Sequence, residues 1–294
     1  MWIAFTLLAA FMQAIRTAGQ KKMSAEISPM AATAARFLYS LPIAWLYLVL
    51  ILGIEDSELP AIHMTFAGYA VLASVGQIIA TILLIRVLSR RNFAIGTTYA
   101  KTEAIQTAIL GALLFSLPLT PLGWISVCVG VIGLSIISTM GNPSGFWQWP
   151  DQTARIGILS GLSFSLTSLW LRQASLSLGS GFLLSAAITL VTMITVQTGL
   201  TLIWMLLFER RELLRLFQYS RLGWFIGLTS VLGSIGWFTA MTLENPAYVK
   251  TLGQVEYFFT LIITYRYFGE GVTKREYWGI ALIIVSVVGV LIAV

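Results

Sequence analysis

The chain has 294 residues, 57% of them apolar and only 10% charged, with a formal net charge of +6. A soluble domain carries about 25% charged residues over its core, so this composition excludes a soluble globular fold, and its apolar content excludes disorder. A single cysteine (Cys128) and a single histidine (His63) exclude a disulfide framework and paired-histidine zinc chemistry.

Ten apolar segments follow one another: 2–19, 29–52, 64–88, 93–116, 121–139, 154–177, 182–208, 221–243, 246–268 and 274–294. Each approaches the roughly 20 residues that a spanning helix needs. No basic residue precedes the apolar Met1–Met12 stretch and no small-residue cleavage site follows it, so it reads as a retained first helix. Charge, proline or glycine marks the segment ends: Lys21-Lys22, Pro29, Glu55-Asp56, Arg90-Arg91, Pro118, Pro121, Pro143, Asp151, Glu209 to Arg211, Pro246 and Gly269 to Gly271. Period-two alternation is absent, which argues against a membrane barrel. The expected fold is an all-α membrane protein of ten transmembrane helices.

Between segments five and six lie Gly141, Asn142, Pro143, Ser144 and Gly145, followed by Trp147 and Trp149 as interface anchors. This divides the chain into residues 1–140, a connecting loop 141–152, and residues 153–294. The halves share a short echo at an offset of 153 residues. Asn92-Phe-Ala94 opens segment four and Asn245-Pro-Ala247 opens segment nine; Glu103 matches Glu256, Thr107 matches Thr260, and Lys101 matches Gln254. With five helices each, the units would cross the membrane in opposite senses. That is the inverted-repeat plan of secondary transporters, whose site lies near the midplane.

Enzyme chemistry finds little support. Gly157-Ile-Leu-Ser160-Gly lacks the extra glycine of an intramembrane serine-protease loop, and no late histidine could serve as its base. The two aspartates, Asp56 and Asp151, lie in connections, and no phosphate-binding loop or repeated filter loop is present.

Lys21-Lys22, Arg36 within Ala34-Ala-Arg36-Phe-Leu, Asn245-Pro-Ala247, and Phe268-Gly-Glu270 followed by Thr273 together resemble the drug/metabolite transporter superfamily, in its EamA-like ten-helix branch. The first-half counterpart of Glu270 falls among Ser116-Leu-Pro118, where the acid is missing. Within the branch, YddG-type amino-acid exporters are the nearest likeness. The resemblance implies export or exchange of small metabolites, amino acids first, across a bacterial inner membrane by alternating access. It implies a small-molecule substrate, a lipid bilayer around the chain, no nucleic acid, no cofactor and no metal, with a monomer sufficing. The other readings are a lipid-carrier flippase and a non-transporting membrane assembly subunit.

In the ten-helix layout the odd connections carry 12 basic residues and the even ones carry Arg172 alone. The positive-inside rule then puts both termini on the non-cytoplasmic side, whereas family precedent puts them inside.

Charged groups inside apolar helices are costly and usually face a cavity or a partner. Arg16, Lys250 and Arg266 lie near segment ends and are expected to snorkel outward; Arg36 lies about two turns in and is expected to pair internally. Lys101 and Glu103 lie deeper, as do Gln254 and Glu256. Residues two apart are about 200° apart on a helix, so one of each pair faces the cavity. Lys250, Gln254 and Tyr257 fall on one face, and the Lys101/Gln254 face is expected to line the cavity. Glu103 and Glu256 would then pack within the bundle or carry a coupling proton. Polar stripes add Gln13, Thr17 and Gln20; Ser74, Gln77 and Thr81; Ser160, Ser163, Thr167 and Trp170; and Ser230, Ser234 and Trp237. The expected substrate contacts are Gln77, Tyr99, Lys101, Ser163, Trp237 and Gln254.

Overall fold

The computed structural model describes residues 1–55, 58–88, 102–138, 152–259, 262 and 274–294, which form helices and turns without a strand. In the first half these are α1 (Trp2–Met23), α2 (Pro29–Leu38), α3 (Leu41–Glu55), α4 (Met64–Leu88), α5 (Glu103–Leu114) and α6 (Pro121–Ser138). The second half has α7 (Gln152–Ser177), α8 (Phe182–Phe208), α9 (Arg210–Gln218), α10 (Ser220–Leu243), α11 (Pro246–Leu252) and α12 (Lys274–Ala293), with a 3₁₀ turn at Gly253–Val255. Among the described residues, five stretches are long and apolar enough to cross a membrane: Trp2–Met23, Pro29–Glu55, Met64–Val87, Phe182–Phe208 and Ser220–Leu243. Shorter apolar helices lie at Glu103–Leu114, Pro121–Ile136 and Tyr277–Ala293. The Asn92–Ala94 motif, the loop 141–151 and the Phe268–Thr273 motif lie outside the described residues.

The second and ninth apolar segments are each opened by a capped proline. The Ser28 hydroxyl accepts from the Ala31 amide at 3.1 Å with Pro29 in the first turn, and the Asn245 side chain accepts from the Ala247 amide at 3.0 Å with Pro246 in the first turn. The side-chain acceptor satisfies an orphan donor, and proline gives up an amide that had no partner.

The helices pack through small residues. The most extensive pairings are α4 with α7, α6 with α12, and α1 with α10, each joining one half of the chain to the other. Bilayer lipid removes most of the hydrophobic drive between helices, so close approach and hydrogen bonds must supply the adhesion. Gly236 meets Phe5 and Ala9 of α1; Gly133 meets the Gly279 carbonyl and Leu282 of α12. The Ser286 hydroxyl donates to the Ser126 carbonyl at 2.6 Å, and that of Ser160 to the Ala80 carbonyl at 2.9 Å. Outward faces are apolar: Trp45, Leu46, Val49 and Leu50 on α3, and Ile203, Trp204 and Leu207 on α8, are all exposed.

Three features depart from ten simple segments. The second segment breaks at Tyr39–Ser40, between α2 and α3. Tyr39 packs onto Gly223 and Gly227 of α10, where any side chain would collide with it. The Ser40 hydroxyl reaches the Arg36 carbonyl at 2.5 Å and the Gly227 carbonyl at 3.0 Å.

The second departure is α9, formed by residues that read only as a charged connection. Leu216 is fully buried and Leu213 packs beside it, while Leu214 and Phe217 are exposed. Such an amphipathic helix suits a membrane surface. It is tied to the α1–α2 turn. The Ser28 amide donates to Glu212 Oε2 at 2.8 Å and the Ser28 hydroxyl to Glu209 Oε2 at 2.5 Å. Arg215 binds Glu212 at 2.8 Å and the Glu26 carbonyl at 2.5 Å, and the Tyr219 hydroxyl donates to Glu26 Oε2 at 3.0 Å. Desolvation opposes the charge on Glu212, but the Ser28 amide and Arg215 outweigh it and hold its carboxyl below the ordinary value.

The third departure is in segment nine, where the 3₁₀ turn after α11 replaces a continuous α-helix. Three residues per turn in place of 3.6 bring positions i, i+3 and i+6 onto one face. Lys250, Gly253 and Glu256 therefore share the face that the α-helical reading gave to Lys250, Gln254 and Tyr257.

Candidate functional site

A narrow cavity of about 30 Å³ lies at mid-depth in the bundle. Its lining residues fall near the middle of their helices: Gln13 and Arg16 on α1, Gln77 on α4, and Phe164, Thr167, Ser168 and Leu171 on α7. Arg36 of α2, Ser234, Trp237, Phe238 and Met241 of α10, and Lys250 of α11 complete it. A tightly packed seam shares Arg36, Gln77, Ser234 and Phe238 and extends toward Ser40, Gln197 and Ser230.

Trp237 and Lys250 form one wall. Gly253 makes the fit possible, because any side chain there would run into the indole ring. The Lys250 ammonium lies 4.8 Å from the Trp237 ring centroid and 5.7 Å from that of Phe164, within cation–π range. Lys250 Nζ also reaches Glu103 Oε2 at 3.4 Å, both side chains being nearly buried. Gln13 is held at both ends: its Oε1 accepts from the Trp237 indole at 2.9 Å, and its Nε2 donates to Glu256 Oε2 at 2.8 Å. These contacts tie α1, α5, α10 and α11 together around the cavity.

Arg16 and Arg36 sit on the other side. Arg36 Nη1 donates to the Thr81 hydroxyl at 3.1 Å. Arg16 is only 3% exposed, and its Nε and Nη1 have no hydrogen-bond partner. Arg16 and Arg36 face one another's charge across the same cavity. On α4, Gln77 Oε1 accepts from Gln197 Nε2 at 2.7 Å. This arrangement sets buried cations beside an aromatic wall. Among the described residues, no group of three histidine, cysteine, aspartate or glutamate side chains could hold a metal.

Of the residues expected to touch substrate, Gln77 and Trp237 line the cavity. Tyr99 and Lys101 lie outside the described residues. The Ser163 carbonyl faces Gly76 of α4 and accepts from the Thr167 hydroxyl at 2.7 Å, which puts that part of the α7 stripe at the helix contact. Trp170 also lies against Gly76. Gln254 is buried against Gly130 of α6 and Ser286 of α12, away from the cavity lining, with both amide atoms unpartnered. Glu103 bonds Lys250, and Glu256 lies behind Gln13.

Sequence reasoning missed Arg16 and Lys250 as cavity residues, since both read as cations that snorkel outward. Both are buried instead, Lys250 at 8% exposure. For Arg16 the available signal was spacing: Gln13, Arg16 and Gln20 stand at i, i+3 and i+7 on one face of α1. For Lys250 the shift in helix type hid the face it shares with Glu256.

Residues 1–139 match the model of the EamA-like transporter family. No curated protein matches the sequence. Twenty-eight chains of solved structures match. One of these, described only as the crystal structure of a protein, superposes over 99% of this chain and 96% of its own at a TM-score of 0.69 with 12% identity. At that identity the likeness is one of fold.

Proposed function

We propose, from the premise that the chain belongs to the drug/metabolite transporter superfamily through its EamA-like residues 1–139, that it is a secondary transporter of small metabolites. Transport proceeds by alternating access, with residues 1–140 and 153–294 as two inverted five-helix units rocking about the central cavity. The observation that carries this reading is the cavity itself. It lies at mid-depth where helices of both halves meet, and it is lined by cations that a purely structural bundle would avoid. The reciprocal pairing of α1 with α10 and α4 with α7 supports the two-unit arrangement, since the first and third helices of one unit meet the third and first of the other.

Amino acids are the substrate class of first choice, moved outward or exchanged across a bacterial inner membrane. Gln77 and Trp237 contact the solute, Glu103 and Glu256 organise the charges around it, and Tyr99, Lys101 and Ser163 remain substrate-contact candidates. Neither a cofactor nor a nucleic-acid partner is invoked, and a monomer suffices. The 12:1 distribution of basic residues supports termini on the non-cytoplasmic side. A reporter fused after Val294 that is active only in the cytoplasm would reverse that orientation.

The test is flux of a labelled amino-acid panel into liposomes containing the purified protein. The reading expects saturable uptake of at least one amino acid. Absence of flux for all of them removes amino acids as the substrate class.

A further inference from the structure

Within the cavity, satisfied and unsatisfied polar groups segregate. Gln13 spends both amide atoms on Trp237 and Glu256. Lys250 is engaged by Glu103 and by the two aromatic rings, and Gln77 Oε1 is taken by Gln197. These side chains are held by the protein and brace the wall. Arg16 differs: it is buried, it lines the same space, and Nε and Nη1 are without acceptors. Arg36 lines that space too, and Nη1 is its one nitrogen bonded to Thr81. A buried guanidinium without an acceptor is expensive, and in native proteins such orphans call for an explanation. Arg36, bonded to Thr81, faces the same cavity, and the two guanidinium groups repel each other until an anion lies between them.

We infer that Arg16 and Arg36 form a subsite for the carboxylate of an organic acid whose apolar or aromatic body lies along Phe164, Trp237 and Phe238. Guanidinium groups suit this task because they stay charged and match the planar carboxylate. The Trp237 indole and the Phe164 and Phe238 rings supply flat apolar surface beside the cations. Lys250 and Glu103 neutralise each other at the wall, so they set its shape without competing for the acid. This inference deepens the transporter reading and rests on it, because it assigns the cavity to a solute.

The experiment is equilibrium binding to the purified full-length protein in lipid nanodiscs, using acids and their amides of the same shape. The probes are 3-phenylpropanoate against 3-phenylpropanamide and phenylalanine against phenylalaninamide. The acids should bind at least about tenfold tighter than the amides, the scale of one charge-assisted hydrogen bond. Arg16→Gln should remove the preference and Arg16→Lys should keep part of it. The wild-type comparison stands even if a variant fails to fold. Equal binding of acid and amide, no binding of any probe, or a preference intact in a folded Arg16→Gln protein would overturn the subsite. Acid-selective binding without liposome flux keeps the subsite and removes transport. Flux of neutral solutes without acid selectivity does the reverse.

Discussion

Two charged clusters, one at the membrane surface and one at its centre, use the same residue types to opposite ends. At the surface, Glu26, Ser28, Glu209, Glu212, Arg215 and Tyr219 close upon one another and fasten the α1–α2 turn to α9 and the start of α10. In the centre, Glu103, Glu256 and Lys250 are engaged, but Arg16 is left open toward the cavity. Water surrounds the first cluster and would forgive an unmade bond, yet the Glu212 and Arg215 side chains meet. The second has no such relief, yet Arg16 Nε and Nη1 lack hydrogen-bond acceptors. The surface cluster completes itself; the central one leaves donors open at a cost to stability.

Substitutions can break that contrast. The largest expected effect is at Lys250. Lys250→Met leaves Glu103 buried without its cation and should destabilise the protein by about 3–5 kcal/mol, with Glu103→Gln added to it recovering much of the loss. Thermal unfolding of both variants in detergent checks this, and equal unfolding temperatures would show that the pair is not coupled. Next comes Arg16→Met, with the opposite sign. Removing a buried cation that lacks acceptors should stabilise the empty protein by about 1–3 kcal/mol while abolishing acid binding. A loss of stability there would mean that Arg16 is a structural group after all. Trp237→Phe keeps an aromatic wall but removes the indole donor to Gln13, and should cost about 1 kcal/mol in the same assay.

The smallest effect is at the surface and depends on pH. Glu212 has a lowered carboxyl pKa in the folded state, so its contribution is complete above the ordinary glutamate range and is lost as pH falls through the folded value. The protection of the Ser28 amide, its exchange rate relative to the intrinsic rate at each pH, should therefore stay high at neutral pH and fall only in acid, below the ordinary glutamate range. In Glu212→Gln the protection should already be lower at neutral pH and should not fall further in acid. Exchange unchanged by this substitution would mean that the tie does not hold the turn.

Helices were legible because lipid imposes length and apolar content, and Pro29 and Pro246 announced their helix starts directly. The cavity lining was legible only where the spacing ran along an unbroken α-helix. Gln77 on α4 and Ser234 and Trp237 on α10 show this, their stripes running along helices without a break. Gln254 shows the reverse. Its i+4 relation to Lys250 is real in sequence, but the 3₁₀ turn at Gly253–Val255 rotates it toward Gly130 and Ser286 and brings Glu256 round to Gln13. Arg16 was hidden for a different reason. Distance from a helix end says whether a cation could reach water, and only the packed neighbours say whether it does. The amphipathic pattern of α9 lay in plain view, but its charge made it read as a connection.

The central claim is that solute crosses through the cavity beside Arg16. Counterflow of a labelled amino acid into liposomes, measured side by side for the wild-type protein and Arg16→Gln at matched folded content, tests it most directly. The account predicts saturable counterflow for wild type and at least a tenfold loss for the variant, the scale of one charge-assisted hydrogen bond. Equal counterflow in the two proteins would contradict it.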